Sequence, residues 1–243
     1  MKRLYWRILV CVLIGVGAAS NAAGGWKDVL KKSVNSFNGG SQLSNAEVVD
    51  GLKEALEVGT KQAVQLAGQE NGYYGRPAIK IPLPESIAKT ESLMRAAGMG
   101  DQVDAFVLSM NRAAEKAAPE AQSIFWDAIQ QMQFDDAQRI LNGRDNEATL
   151  YFKDKTSDEL TAAFKPLVHE AMQNVGVTQQ YHSLQSGAEA IPFLSEWLVD
   201  LDDYVTDQAL EGLFTLVAQE EAAIRSDPAA RVTDLLQKVF ATP

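Results

Sequence analysis

The sequence predicts an all-α protein: a single compact multi-helix bundle of about ten helices, with one short extended strap around Ile79, Ile81 and Leu83. Three observations carry this. Apolar residues recur at i, i+3, i+4 and i+7 in segment after segment between Ser44 and Phe240, which is the period of an amphipathic helix. The breaks between segments are short and hold helix start and stop residues: Ser44, Gly98, Asn142-Gly143, Gly176 and Asp227-Pro228. The one stretch that alternates instead runs Ile79-Lys80-Ile81-Pro82-Leu83-Pro84. Its prolines cannot donate to a sheet ladder, so it reads as a strap over a helical core.

Ahead of the bundle lies a segment of another kind. Lys2, Arg3 and Arg7 precede an apolar run over residues 8–18, too short to cross a bilayer, and Ser20 and Ala22 then supply small residues. This predicts a secretory signal peptide over residues 1–22 and a periplasmic or secreted mature chain with no membrane span after cleavage. Cys11 follows Val10, where a lipoprotein signal has a small residue, so a lipid anchor is not expected. Cys11 is the single cysteine. Its removal leaves a mature chain without thiol chemistry, disulfides or thiolate metal sites. The formal charge of −10 becomes more negative when three basic residues leave with the signal. Such a chain has no electrostatic footprint for nucleic acid and is repelled by anionic headgroups.

Residues 23–42 form an N-terminal helical arm with Trp26, Val29, Leu30, Val34 and Phe37 on one side, closing at Asn38-Gly39-Gly40. The single helical domain is placed over residues 43–243. Ser44-Asn45-Ala46-Glu47 is a capping box, and its helix runs to about Gln69. Gly51, Ala55, Gly59 and Ala63 give that helix a bare line where another helix approaches closely, either within the chain or across a dimer. Tyr73 and Tyr74 follow on a glycine-rich turn and offer either a binding lip or a plug for the core. Residues 84–97 read as a helix with Ile87, Leu93 and Met94 inward. Residues 101–118 follow, capped by Asp101. Pro119 opens the next helix, with Ile124, Phe125, Ala128, Ile129 and Met132 inward.

Residues 135–141 are a short helix, and residues 146–155 another. Ser157 reads as the cap of a further helix that Pro166 should kink or break. Residues 178–184 and 192–201 are helical, separated by a small polar surface insertion. Residues 204–225 carry Leu210, Leu213, Phe214, Val217 and Ile224 in one stripe, and a last helix starts at Asp227-Pro228.

No stretch has the signature of a metal site, nucleotide loop or serine elbow, so no catalytic residue, metal or cofactor is assigned. His169-Glu170-Ala171-Met172-Gln173 begins like a zinc helix, but its fifth residue is glutamine. The informative residues are polar groups on apolar faces. Glu220 and Glu221 stand inside the Phe214/Leu213 arc, and Asn111 lies on the stripe of its helix. A buried carboxylate needs an arginine or hydrogen-bond donors. Arg112, Arg225 and Arg231 are the candidate partners, and Asn111, Arg112, Glu115, Glu220, Glu221, Arg225 and Arg231 form a candidate buried polar network.

Six blocks in order resemble a bacterial family of exported proteins, domain of unknown function 4197: LSNAEVVDGLKEAL at 43–56, IKIPLPES at 79–86, MNRAAEKAAPEA at 110–121, ATLYFKDKTSDEL at 148–160, YVTDQALEGLF at 204–214 and EEAAIRSDPAARVTDLLQKVF at 220–240. The resemblance implies an exported helical protein with no assigned activity, and carries over no catalytic residues. The expected function is a non-enzymatic binding or interaction protein of the periplasm, with an unknown small molecule or protein as partner and an undetermined oligomeric state. Two alternatives stand beside it: a hydrolase-type enzyme using Glu220 and Glu221 as acid and base, and a structural homodimer.

Overall fold

A computed structural model describes residues 44–89, 91–174 and 200–226. The expected signal peptide, the expected arm, the segments expected over 178–201 as far as residue 199, the expected last helix and Arg231 lie outside the described residues. The described part is all-helical, with no strand among its residues.

In chain order the helices are α1 (Asn45–Gly68), α2 (Glu85–Ala88), α3 (Glu91–Ala96), α4 (Gly100–Ala117), α5 (Ala121–Gln131), α6 (Phe134–Asn142), α7 (Glu147–Asn174) and α8 (Leu201–Ser226). A 3₁₀ turn, Ala118–Glu120, links α4 to α5. Six of these helices have nine residues or more. Among the described residues the expected count of about ten is therefore corrected to six: two predicted helices are fused into one, and another is replaced by two short pieces.

The fusion occurs in α7. Ser157 does not cap a new helix. Its hydroxyl donates to the carbonyl of Lys153, that of Thr156 to Phe152 and that of Thr161 to Ser157. Each hydroxyl is satisfied one turn back, so the backbone keeps its helical path. Pro166 sits inside α7 without ending it. Pro166 and Ala162, whose carbonyl loses its usual donor there, are both exposed, where water can replace the missing bond.

The predicted 84–97 helix is instead two short pieces. Ile87 and Met94 are buried, but Leu93 is 52% exposed, so its inward placement is corrected. The first piece ends at Ala88 and the second begins at Glu91, with Met94 buried and Leu93 exposed on it. Gly98, at φ +83°, ends it in the left-handed conformation.

α8 packs against α7 and α1, and α4 and α5 complete the core. Phe125, Phe152 and Phe214, from α5, α7 and α8, meet edge to face with centroids 5.1 and 6.1 Å apart. The bare line of α1 faces α8: a Cβ at Gly59 would meet Ile224 at 3.4 Å and Glu220 at 3.6 Å. Ala55 and Ile224 form a buried pair beside it. The close approach is thus within the chain, and this line is not free to serve as a dimer seam.

Candidate functional site

The expected polar network divides into two clasps. The first is on α4 and holds the irregular strap over residues 69–84. Arriving from α1, the chain turns at Asn71, whose φ is +61°. Asn tolerates this region better than most residues. Gly72 follows where a Cβ would lie 2.2 Å from the carbonyl oxygen of Ala67, so no other side chain fits. Arg76 donates from Nη1 to the carbonyls of Leu66 and Gly72, satisfying the C-terminal end of α1, where positive charge is favoured.

The turn aims two successive backbone N–H groups, of Tyr73 and Tyr74, at Oε1 of Glu115, at 3.0 and 3.2 Å. Such a concavity of amides suits an anion. Glu115 is 5% exposed, and its other oxygen is paired with Arg112. Arg112 reaches on to Asn71 Oδ1 at 2.9 Å. One turn earlier on α4, buried Asn111 treats the strap as a neighbouring strand would. Its Oδ1 accepts from Ile81 N–H, and its Nδ2 donates to the Ile81 carbonyl, both at 2.9 Å. A strap rich in proline thus gets its ladder from a side-chain amide.

Tyr73 is fully buried, so the lip reading is corrected for this residue. Its hydroxyl donates to the Ala209 carbonyl at 2.7 Å, and its ring lies where a Cβ on Gly212 would meet it at 2.7 Å. Burial first, and the Glu115 charge second, push its phenol far above the ordinary tyrosine range. Tyr74 is half-buried, with Lys80 4.1 Å over its ring.

The second clasp is on α8. Glu221, 7% exposed, reaches the start of α7 and caps it from a different helix. Oε1 accepts from Ala148 N–H at 3.0 Å. Oε2 accepts from Thr149 N–H at 2.9 Å and from the Thr149 hydroxyl at 2.8 Å. The free amides and positive dipole end of a helix N-terminus are where a carboxylate is stabilised. Arg225, one turn on, donates to Oε1 from Nε at 3.0 Å and from Nη2 at 2.8 Å, and Nη2 also donates to the Ile140 carbonyl of α6. One carboxylate and one guanidinium therefore tie α6, α7 and α8 together. Thr149 is the partner that sequence reasoning missed. The pairing crosses 72 residues and targets backbone, so no local pattern marks it.

Glu220 belongs to neither clasp. It is half-buried beside Gly59, and desolvation raises its carboxyl above the ordinary glutamate range. A raised folded-state pKa favours the neutral form. That contribution is complete below the unfolded pKa and is lost as pH rises through the folded value. Glu220→Gln is therefore expected to be neutral or to raise stability at pH 7, by no more than about 0.5 kcal/mol because solvent screens the group. The gain should vanish at pH 4. Urea melts at the two pH values test this, and a clear loss at pH 7 would contradict it.

Two open hollows lie away from the clasps. One, of about 540 Å³, is lined by Asp158, Thr161, Lys165, His169 and Asp202, with Ala162 and Pro166. Most of its polar groups are already engaged. His169 Nδ1 is 2.7 Å from Asp202 Oδ2, and His169 Nε2 is 2.7 Å from the Gln173 amide nitrogen. That pair of contacts fits a neutral ring protonated on Nδ1. Lys165 is paired with Asp203. The other hollow, of about 410 Å³, lies between α1 and α5 around Trp126. Among the described residues, no three His, Asp or Glu side chains gather as a metal group, and no helix is long and apolar enough to cross a membrane.

Helices closed by two buried carboxylate clasps define the class as an all-α domain. The chain belongs to the family described as "Protein of unknown function (DUF4197)", whose model matches residues 42–241. No significant match was found among curated proteins or among solved structures.

Proposed function

We propose that the chain is a binding or interaction protein of the periplasm, exported by a cleaved signal over residues 1–22, and that it is not an enzyme. The observation supporting this is the contrast between its carboxylates and its surface. Glu221 accepts five hydrogen bonds, and a carboxylate has about four lone-pair sites. No capacity is left for a substrate proton, so the acid–base pair that a Glu220/Glu221 hydrolase needs is missing one member. Glu115 holds the two strap amides on one oxygen and Arg112 on the other. Around Trp126, by contrast, the side chains of Glu57, Lys61, Glu120 and Gln122 enter no ion pair or hydrogen bond among the described residues and stand beside an exposed aromatic ring, the mix of apolar surface and a few polar groups that small-molecule sites use.

Native mass spectrometry of the protein purified from its own periplasm tests the proposal. The expected spectrum shows a chain lacking residues 1–22 that carries a non-covalent adduct, which leaves on collisional activation. A bare chain with neither ligand nor partner overturns the binding reading. A mass that retains residues 1–22 overturns the cleavage.

A further inference from the structure

Resting on that binding reading, we infer that the hollow at Trp126 is a saccharide subsite. Its walls are Glu57, Thr60 and Lys61 on one face of α1, Pro119 and Glu120 in the 3₁₀ turn, and Gln122, Ser123, Trp126 and Ile129 on α5. Trp126 is 43% exposed. Trp126 and Leu93 are the large apolar side chains exposed among the described residues, and tryptophan is enriched where a surface binds a partner.

The polar groups set the chemistry that a ligand here would meet. Glu57 and Lys61 are four residues apart on α1, the spacing at which opposite charges pair on a helix. Yet neither forms an ion pair here, and no side-chain hydrogen bond involves Glu57, Lys61, Glu120 or Gln122 among the described residues. The hydroxyls of Thr60 and Ser123 donate to backbone carbonyls and keep their acceptor lone pairs. Glu57, Lys61, Glu120, Gln122 and Ser123 are exposed, so the hollow presents one flat apolar surface with water-accessible donors and acceptors around it. In the larger hollow, His169, Asp202 and Lys165 are already engaged, which makes it the poorer candidate despite its size.

The occupant has to match all of these groups at once. An aliphatic chain would cover Trp126 but strip water from charged groups without replacing it. A phosphate or other anion meets Glu57 and Glu120. A simple cation leaves Lys61 unserved. A pyranose ring has a C–H face for the indole and a rim of hydroxyls, each both donor and acceptor, for carboxylate, amide and ammonium groups. The volume lies at the small end of the range for small-molecule sites, which suits a short oligosaccharide segment.

The test is calorimetric titration of the exported chain with maltotriose, cellotriose and tri-N-acetylchitotriose, and with a proline-rich decapeptide. At least one sugar is expected to saturate. Trp126→Ala should weaken that binding about tenfold or more, Trp126→Phe less, and Gln122→Ala several-fold, with the far-UV circular dichroism of each variant unchanged. Saturation by the peptide alone, or sugar binding untouched by both Trp126→Ala and Gln122→Ala, overturns the assignment. Failure of every sugar while the native spectrum still shows an adduct overturns the saccharide assignment and leaves the binding reading standing.

Discussion

Glu221→Gln is expected to cost about 2–3 kcal/mol of stability and to lower the melting temperature by roughly 4–12 °C. The substitution preserves shape, so the loss isolates charge and hydrogen bonding. In the native protein both carboxylate oxygens are filled by donors: two backbone amides, one hydroxyl and a guanidinium. A glutamine offers one acceptor oxygen and one NH₂ group. Whichever way the amide turns, its NH₂ faces N–H donors at the start of α7 or on Arg225, and buried donors lose their acceptor. Arg225 keeps its bond to Ile140 and holds α6, so the damage should concentrate at the α7–α8 junction. Hydrogen exchange gives the local readout: the amides of Ala148 and Thr149 should lose protection well before the middle of α7 does. The neighbouring Glu220→Gln, with its opposite or null effect at pH 7, is the internal control. An unchanged melt for Glu221→Gln would mean that the clasp does not hold the fold.

That contrast between neighbours shows how far sequence reasoning reaches. The inward face of a helix is written in its period, so Leu210, Leu213, Phe214, Val217 and Ile224 could be placed in the core, where they are. The wheel also marked Glu221 and Asn111 as polar groups on buried faces, and both are buried. It could not separate Glu221 from Glu220, because both fall within about 60° of Val217, on opposite sides of it and inside the same apolar arc. It could not name the partners either. Those are mostly main-chain groups (the amides of Ala148 and Thr149, those of Tyr73 and Tyr74, both groups of Ile81), and every sequence has main-chain groups everywhere. Arg225, at i+4 from Glu221, and Arg112, three residues before Glu115, were the partners within reach of a local rule.

The failures over helix ends share a cause. Ser157 has the identity of a cap, but its hydroxyl bonds back to Lys153. Leu93 has the spacing of a core residue in a helix that the chain interrupts. A capping residue records what is possible at a position. Whether the helix stops there is decided by what packs on either side.

Gly212→Ala is the second large effect expected, a loss of about 1–3 kcal/mol, although alanine favours a helix interior by about 1 kcal/mol over glycine. The added Cβ would lie 2.7 Å from Cε1 of Tyr73 and 3.1 Å from Cβ of Ile79. A flexible side chain would yield, but Tyr73 cannot easily do so. Its backbone N–H is held by Glu115 and its hydroxyl by the Ala209 carbonyl, so the ring is fixed at both ends across the α8 surface. Ile79 meets the new methyl through its Cβ, which moves only with the backbone, and the strap backbone is pinned two residues on by Asn111. The strain should therefore pass into the strap over residues 69–84 and loosen it before the helices part. Limited trypsin digestion should cut after Lys80 faster in the variant, while far-UV circular dichroism changes little. A double-mutant cycle with Tyr73→Leu separates this clash from a general intolerance of alanine. Removing the ring should relieve much of the Gly212→Ala penalty, giving a coupling of about 1 kcal/mol between the two sites. Strict additivity would mean that Tyr73 does not carry the contact, and that the strap is held by Asn111 and Glu115 alone.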